Sequence, residues 1–283
     1  MIWKQGLTPL VKPKQGLTQP KMKFAVNYST PLRDLLRQGV IKVDLLKCPE
    51  WDGIVNAALP YGPVYIHFEI SVGANNIHNL NFALIERFLR TTNTPYLNIH
   101  LSNNPALEAD TKANRKILVR RWKEDIACLR SQLPGVKIIA ENLPWHEFLP
   151  QLRMAADPNL ISDMIQDCDL GLLLDLSHAQ ISAQSLGLNY QDYVSRLPLH
   201  RLAELHITGI REYANFPTDH FELQPQDWPA VEWAADQIRS GAWRKPEIVA
   251  FEYGGIGDVF CWRTEPLTLR EQVPLLYEVF GEK

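Results

Sequence analysis

The chain lacks a membrane-length apolar run, a cysteine pair, a surplus of charge and a glycine-rich phosphate turn. Each absence removes a class of protein. No stretch approaches the roughly 18–20 apolar residues that cross a bilayer, and the first residues carry no apolar core of a secretory signal. A cytoplasmic protein without membrane contact is therefore expected. The four cysteines, Cys48, Cys128, Cys168 and Cys261, are widely separated, so neither a zinc ribbon nor a disulfide framework is expected. A net charge of −3 and a pI near 6.2 give no basic face for DNA or RNA. The one glycine-rich segment, GGIGD at 254–258, follows the last apolar run and has the wrong spacing for a dinucleotide fold.

What is present is a large apolar fraction, 46% of 283 residues, enough for a sizeable core. Residues 1–21 stand apart. The segment KQGLT occurs at 4–8 and again at 14–18, among Pro9, Pro13 and Pro20. A flexible or surface-draped arm is expected there, with a partner-binding or oligomerisation arm as the alternative. Residues 22–283 read as one domain. Strands are expected near 22–27, 42–47, 64–70, 96–102, 137–142, 170–176, 202–208 and 247–253, as near-continuous apolar runs typical of buried parallel strands. Helices are expected near 31–38, 79–92, 111–133, 158–167, 189–196, 226–240 and 267–280. This alternation is the count for a single α/β domain of (β/α)8 TIM-barrel type, with a doubly wound open sheet as the alternative.

Six of the apolar runs end in a residue that can bind a metal. VYIHFEI carries His67, YLNIHLS carries His100 and KIIAENL carries Glu141. GLLLDLSH carries Asp175 and His178, AELHITG carries His206, and EIVAFEY carries Glu252. Active-site residues of such barrels sit at the C-terminal strand ends, so the fold would gather all six at one mouth. A carboxylate ending an apolar strand is costly unless paired or coordinated, which singles out Glu141, Asp175 and Glu252. Asp219 and His220 lie in the connection after His206. Imidazole mixed with carboxylate, without thiolate, suits Fe, Mn, Zn or Co. Nine candidate ligands exceed what one ion uses, and two or three divalent ions sharing carboxylates would use them better; with a single ion, Glu141, Asp175, His206 and Glu252 would be the natural set.

The pattern resembles the xylose-isomerase-like barrel superfamily, which includes sugar isomerases and epimerases, AP endonucleases of the endonuclease-four type, and a family of multinuclear non-haem iron oxidative enzymes once known only as a domain of unknown function. The likeness to the iron family is strongest over 170–233, in LLLDLSHAQISAQSLGLNYQDYVSRLPLHRLAELHITG and TDHFELQPQDWPAVEW. HFEISVG, HLSNNP and AENLPW sit where that family carries a His, a His and a Glu-Asn. The resemblance implies a xylose-isomerase-like fold with His67, His100, Glu141, Asp175, His178, His206, Asp219, His220 and Glu252 around two or three irons. It also implies oxygen-dependent modification of a peptide cysteine, with a partner protein that presents the peptide. The chain departs from the family pattern in having Asp219 and His220 adjacent, and KCPEW at 47–51 in place of an acidic segment.

Two other readings use the same residues. In a single-metal sugar or sugar-phosphate isomerase, Glu141 and Glu252 would exchange the proton of a small-molecule substrate while Arg211 holds a hydroxyl or phosphate. In a non-catalytic scaffold the barrel would only bind a partner.

Overall fold

The computed structural model describes residues 21–255 and 263–281. The expected N-terminal arm with its KQGLT repeat lies outside the described residues, apart from Lys21. Nine parallel strands make the main sheet. They are β1 (Lys23–Asn27), β2 (Leu45–Cys48), β3 (Val64–Ile66), β4 (Ser71–Val72), β5 (Leu97–Leu101), β6 (Ile138–Glu141), β7 (Gly171–Asp175), β8 (Leu202–Ile207) and β11 (Ile248–Phe251). A separate two-stranded antiparallel ladder pairs β9 (Gly209–Tyr213) with β10 (Phe216–Phe221). The helices are α1 (Thr30–Arg37), α2 (Asp52–Ala58), α3 (Phe82–Thr92), α4 (Lys112–Gln132), α5 (Pro158–Asp167), α6 (Leu176–Ser185), α7 (Tyr190–Ser195), α8 (Trp228–Arg239) and α9 (Pro266–Phe280). None of the described helices is long and apolar enough to cross a membrane.

The strand order is β3-β2-β1-β11-β8-β7-β6-β5-β4. The sheet curls so far that its two end strands, β3 and β4, belong to one short stretch of chain. The expectation of a single strand over 64–70 is thus corrected: the run is interrupted between Ile66 and Ser71. Side chains from outside the run take over the missing pairings. Thr94 Oγ1 accepts from Ile66 N at 2.9 Å, and Asn98 Oδ1 accepts from Phe68 N at 2.7 Å while its Nδ2 donates to Phe68 O at 3.0 Å. Backbone pairing then resumes with His100 N to Ile70 O at 2.8 Å.

Alternation along each strand sorts the core into two shells. Ala25, Leu45, Tyr65, Ile139, Leu173, Ala203 and Ala250 form a small cluster enclosed by the sheet. The intervening residues, such as Phe24, Leu46, Leu172, Leu205 and Val249, join the larger cluster under the helices. In α4, Leu118, Trp122, Ile126 and Leu129 bury the inward stripe, and Thr111 caps the helix by accepting from Asn114 N at 3.1 Å. Helices α2 and α6 and the β9–β10 hairpin were not expected from the sequence. Helix α6 is buried on almost every side, from Leu176 through Ala183, and so shows no polar stripe.

Asn98→Ala removes the amide that pairs both backbone groups of Phe68. With those groups left buried and unpaired, the unfolding free energy is expected to fall by about 2–3 kcal/mol. Denaturant melts of the two proteins check this; an unchanged midpoint would contradict the bridging role.

Candidate metal centre

Above the enclosed apolar layer, every strand of the sheet except the short β4 presents a polar side chain at or just past its C-terminal end. Alternation places Asn27 above Ala25, Lys47 above Leu45, His67 above Tyr65, His100 above Asn98, Glu141 above Ile139, Asp175 above Leu173, His206 above Glu204 and Glu252 above Ala250. The sequence reading found six of these ends and missed Asn27 and Lys47. The same two-residue period would have found both.

The candidate ligands converge. Atoms of His67, Glu141 and His206 lie within 4.8 Å of one another, as do those of Glu141, Asp175 and His178, and those of Asp175, His206 and Glu252. His100 Nε2 is 3.1 Å from Glu141 Oε2 and 3.3 Å from His67 Nε2. Asp219 and His220 reach the same cavity of about 660 Å³ as His67, Glu141, His178 and Glu252. Adjacent residues of a strand normally point to opposite faces. Here β10 shifts register between Thr218 and Phe221, and His220 takes a left-handed φ of 62°. That bulge turns both side chains to one side.

Several ligand atoms are aimed by a second contact. Asp175 caps α6 through Oδ1, which accepts from His178 N at 2.7 Å, while its buried Oδ2 has no hydrogen-bond partner. His206 Nε2 lies 2.7 Å from Glu204 Oε1, which also accepts from Tyr65 Oη at 3.0 Å. The Glu204 carboxylate holds the proton on Nε2 and leaves Nδ1 as the lone-pair nitrogen, buried and without a hydrogen-bond partner. The carbonyl of Asn142 takes His178 Nδ1 at 2.9 Å, which turns Nε2 toward Asp219 Oδ2 at 2.8 Å. These are the properties of a donor set built for cations: oriented, buried and with lone pairs unspent.

Glu204 is a satisfied carboxylate rather than a candidate ligand, held by Tyr65 and His206. It is buried, 1% exposed, and its signal was the i, i+2 spacing to His206. Arg211 is placed elsewhere. Its guanidinium donates to Asp227 Oδ2 at 2.9 Å and reaches Glu222 Oε1 at 3.4 Å, and it does not line the cavity. The residue begins the hairpin rather than the strand end, so its side chain follows a different face.

The electrostatics follow from crowding. Burial alone would raise the Glu141 carboxyl, but His100 and His206 beside it hold it well below the usual range. Burial raises Asp175. For His178, burial opposes the charge, yet Asp175 and Asp219 outweigh it and push the imidazole up to about 10. Burial takes His220 down to about 4 and His67 well below its ordinary value. Lys47, also lowered by burial, lies against Glu252 in an ion pair.

With this geometry in view, the relatives can be placed. The fold resembles xylose-isomerase-like TIM-barrel proteins. D-psicose 3-epimerase with D-fructose aligns at a TM-score of 0.55 and 14% identity, covering 92% of this chain and 100% of that one. The 3-keto-D-glucoside 4-epimerase YcjR of E. coli aligns at 0.55 and 14%, covering 91% and 99%. A UPF0276 protein of Acaryochloris marina (strain MBIC 11017) is 24% identical over 132 residues, 46% of this chain and 42% of that protein, so the match spans less than half of the relative's length. The chain belongs to the RiPP precursor modification enzyme family MbnB/TglH/ChrH, whose sequence profile matches residues 63–238. RiPPs are ribosomally made, post-translationally modified peptides.

Glu204→Gln removes the carboxylate that orients His206 and is expected to weaken ion binding about 10- to 100-fold while the fold is kept. Chelator competition with circular dichroism checks this, and equal affinities would contradict it. Because an ion must displace the His178 proton, ion affinity is expected to rise with pH between 6 and 8, by up to about tenfold per unit. A pH-independent affinity would remove His178 from the ligand set.

Proposed function

We propose that this protein is an iron-dependent oxidative enzyme that modifies a peptide, with more than one ion at the strand ends. The observation that carries this reading is the unspent, buried pair of ligand atoms, Asp175 Oδ2 and His206 Nδ1, inside three overlapping donor triads. A carboxylate has two oxygens and can serve two ions. Glu141 and Asp175 each belong to two of the triads, which favours ions that share carboxylates over a single one.

The fold fits the same reading. Counting 64–72 as one interrupted strand would make eight strands, the number of a closed (β/α)8 barrel, with the candidate ligands at the C-terminal mouth where such enzymes work. Residues 22–283 would then be the barrel.

The ligand set under this proposal is His67, His100, Glu141, Asp175, His178, His206, Asp219, His220 and Glu252. Bound iron would supply the redox chemistry toward oxygen that protein side chains lack. The chain's own residues do the rest. Glu204 and the Asn142 carbonyl fix imidazole tautomers. His178 and Asp219, at 2.8 Å, share the proton that a bound ion would displace. Tyr28, Trp51 and Pro144 line the same cavity and give it partly apolar walls. A peptide cysteine is the substrate group this reading favours, presented by a partner protein.

The test is metal content after purification without oxygen from iron-supplied cells. More than one iron per chain is expected. A single manganese or cobalt ion would favour a sugar isomerase using Glu141 and Glu252, and a chain without metal would leave only a binding scaffold.

A further inference from the structure

Lys47 is the one charge in the strand-end layer of the wrong sign for a metal ligand. Among the described residues no other lysine is buried, and Lys47 is only 5% exposed. A buried ammonium is costly unless paired, and its pair is Glu252 Oε1. It stands near the end of β2, beside Asn27 of β1 by register.

This pairing limits how many ions the donors can serve. Glu252 gives Oε1 to Lys47 and keeps Oε2, 3.2 Å from His206 Nδ1. His206 gives Nε2 to Glu204 and keeps Nδ1. The triads His67–Glu141–His206 and Asp175–His206–Glu252 therefore draw on the same nitrogen, and one of them fills at a time. The triad Glu141–Asp175–His178 does not use His206 and fills alongside either. A further ion at Glu252 would need the oxygen that Lys47 occupies, and would sit against a positive charge.

We infer that Lys47 stands in for a metal ion, neutralising Glu252 with its ammonium and holding the centre at two ions per chain. Lys47 is thus a positioning and stoichiometry-setting residue. The inference rests on the metal-centre reading above.

Ferrous iron alone is the probe, counted by native mass spectrometry and colorimetric iron assay on anaerobic protein. The wild type is expected to hold two irons, and Lys47→Glu, which places a carboxylate beside Glu252, three. A wild type with three irons, or a folded Lys47→Glu protein with two, overturns the inference while leaving the metal-centre reading standing. A wild type with no iron overturns both. Should Lys47→Glu fail to fold, Lys47→Met carries the test. Loss of the ammonium is expected to tighten the weaker iron by about tenfold or more in chelator competition, and unchanged or weaker binding overturns the inference.

Discussion

Carboxylates and imidazoles held almost out of water at one end of an apolar sheet are the constraint around which this structure is arranged. Glu141, Asp175, Glu204 and Glu252 are each at most 3% exposed. Charges so placed cost several kcal/mol apiece unless compensated. The compensation visible in the chain is partial: a helix N-terminus on Asp175, Tyr65 and His206 on Glu204, Lys47 on Glu252, and histidines around Glu141. What remains uncompensated points inward to common points. Such a residue layer costs stability that apolar side chains would not, which favours a functional reason for it.

The apolar layer beneath makes the site possible. Small residues such as Ala25, Ala203 and Ala250 share the enclosed layer with Tyr65 and Tyr96. Tyr65 spends its hydroxyl on Glu204, so the floor of the site is both packing and hydrogen-bond support. The mouth is completed by segments outside the sheet. The β9–β10 hairpin brings Asp219 and His220, and its bulge substitutes for the residue that would otherwise separate them.

Much of this was legible in the sequence because it depends on a period of two. Apolar runs ending in His, Asp or Glu located six strand ends and the candidate ligands on them. The same period also held Asn27 and Lys47, but an amide and an ammonium at a strand end resemble ordinary solvent-facing side chains, and for Lys47 only burial separates the cases. Helix α6 was hidden because a helix buried all round has no polar stripe. The hairpin was hidden because its turn, Ala214–Asn215, reaches positive φ at both residues without the Asn-Gly or Asp-Gly sequence that signals such turns. The break in the strand at 64–72 was invisible because its repair comes from Asn98, distant in sequence. Arg211 was placed by proximity to His206 along the chain, and two residues of strand-to-hairpin transition were enough to turn it toward Asp227.

The central claim is that the strand-end layer is a cation-binding layer. An anomalous difference map collected at the iron edge, from crystals grown without oxygen, tests it most directly. Peaks beside Asp175 Oδ2 and His206 Nδ1 are expected, within coordination distance of Glu141. A map whose only peaks lie outside the strand-end layer, or that shows none in protein supplied with iron, would contradict the account.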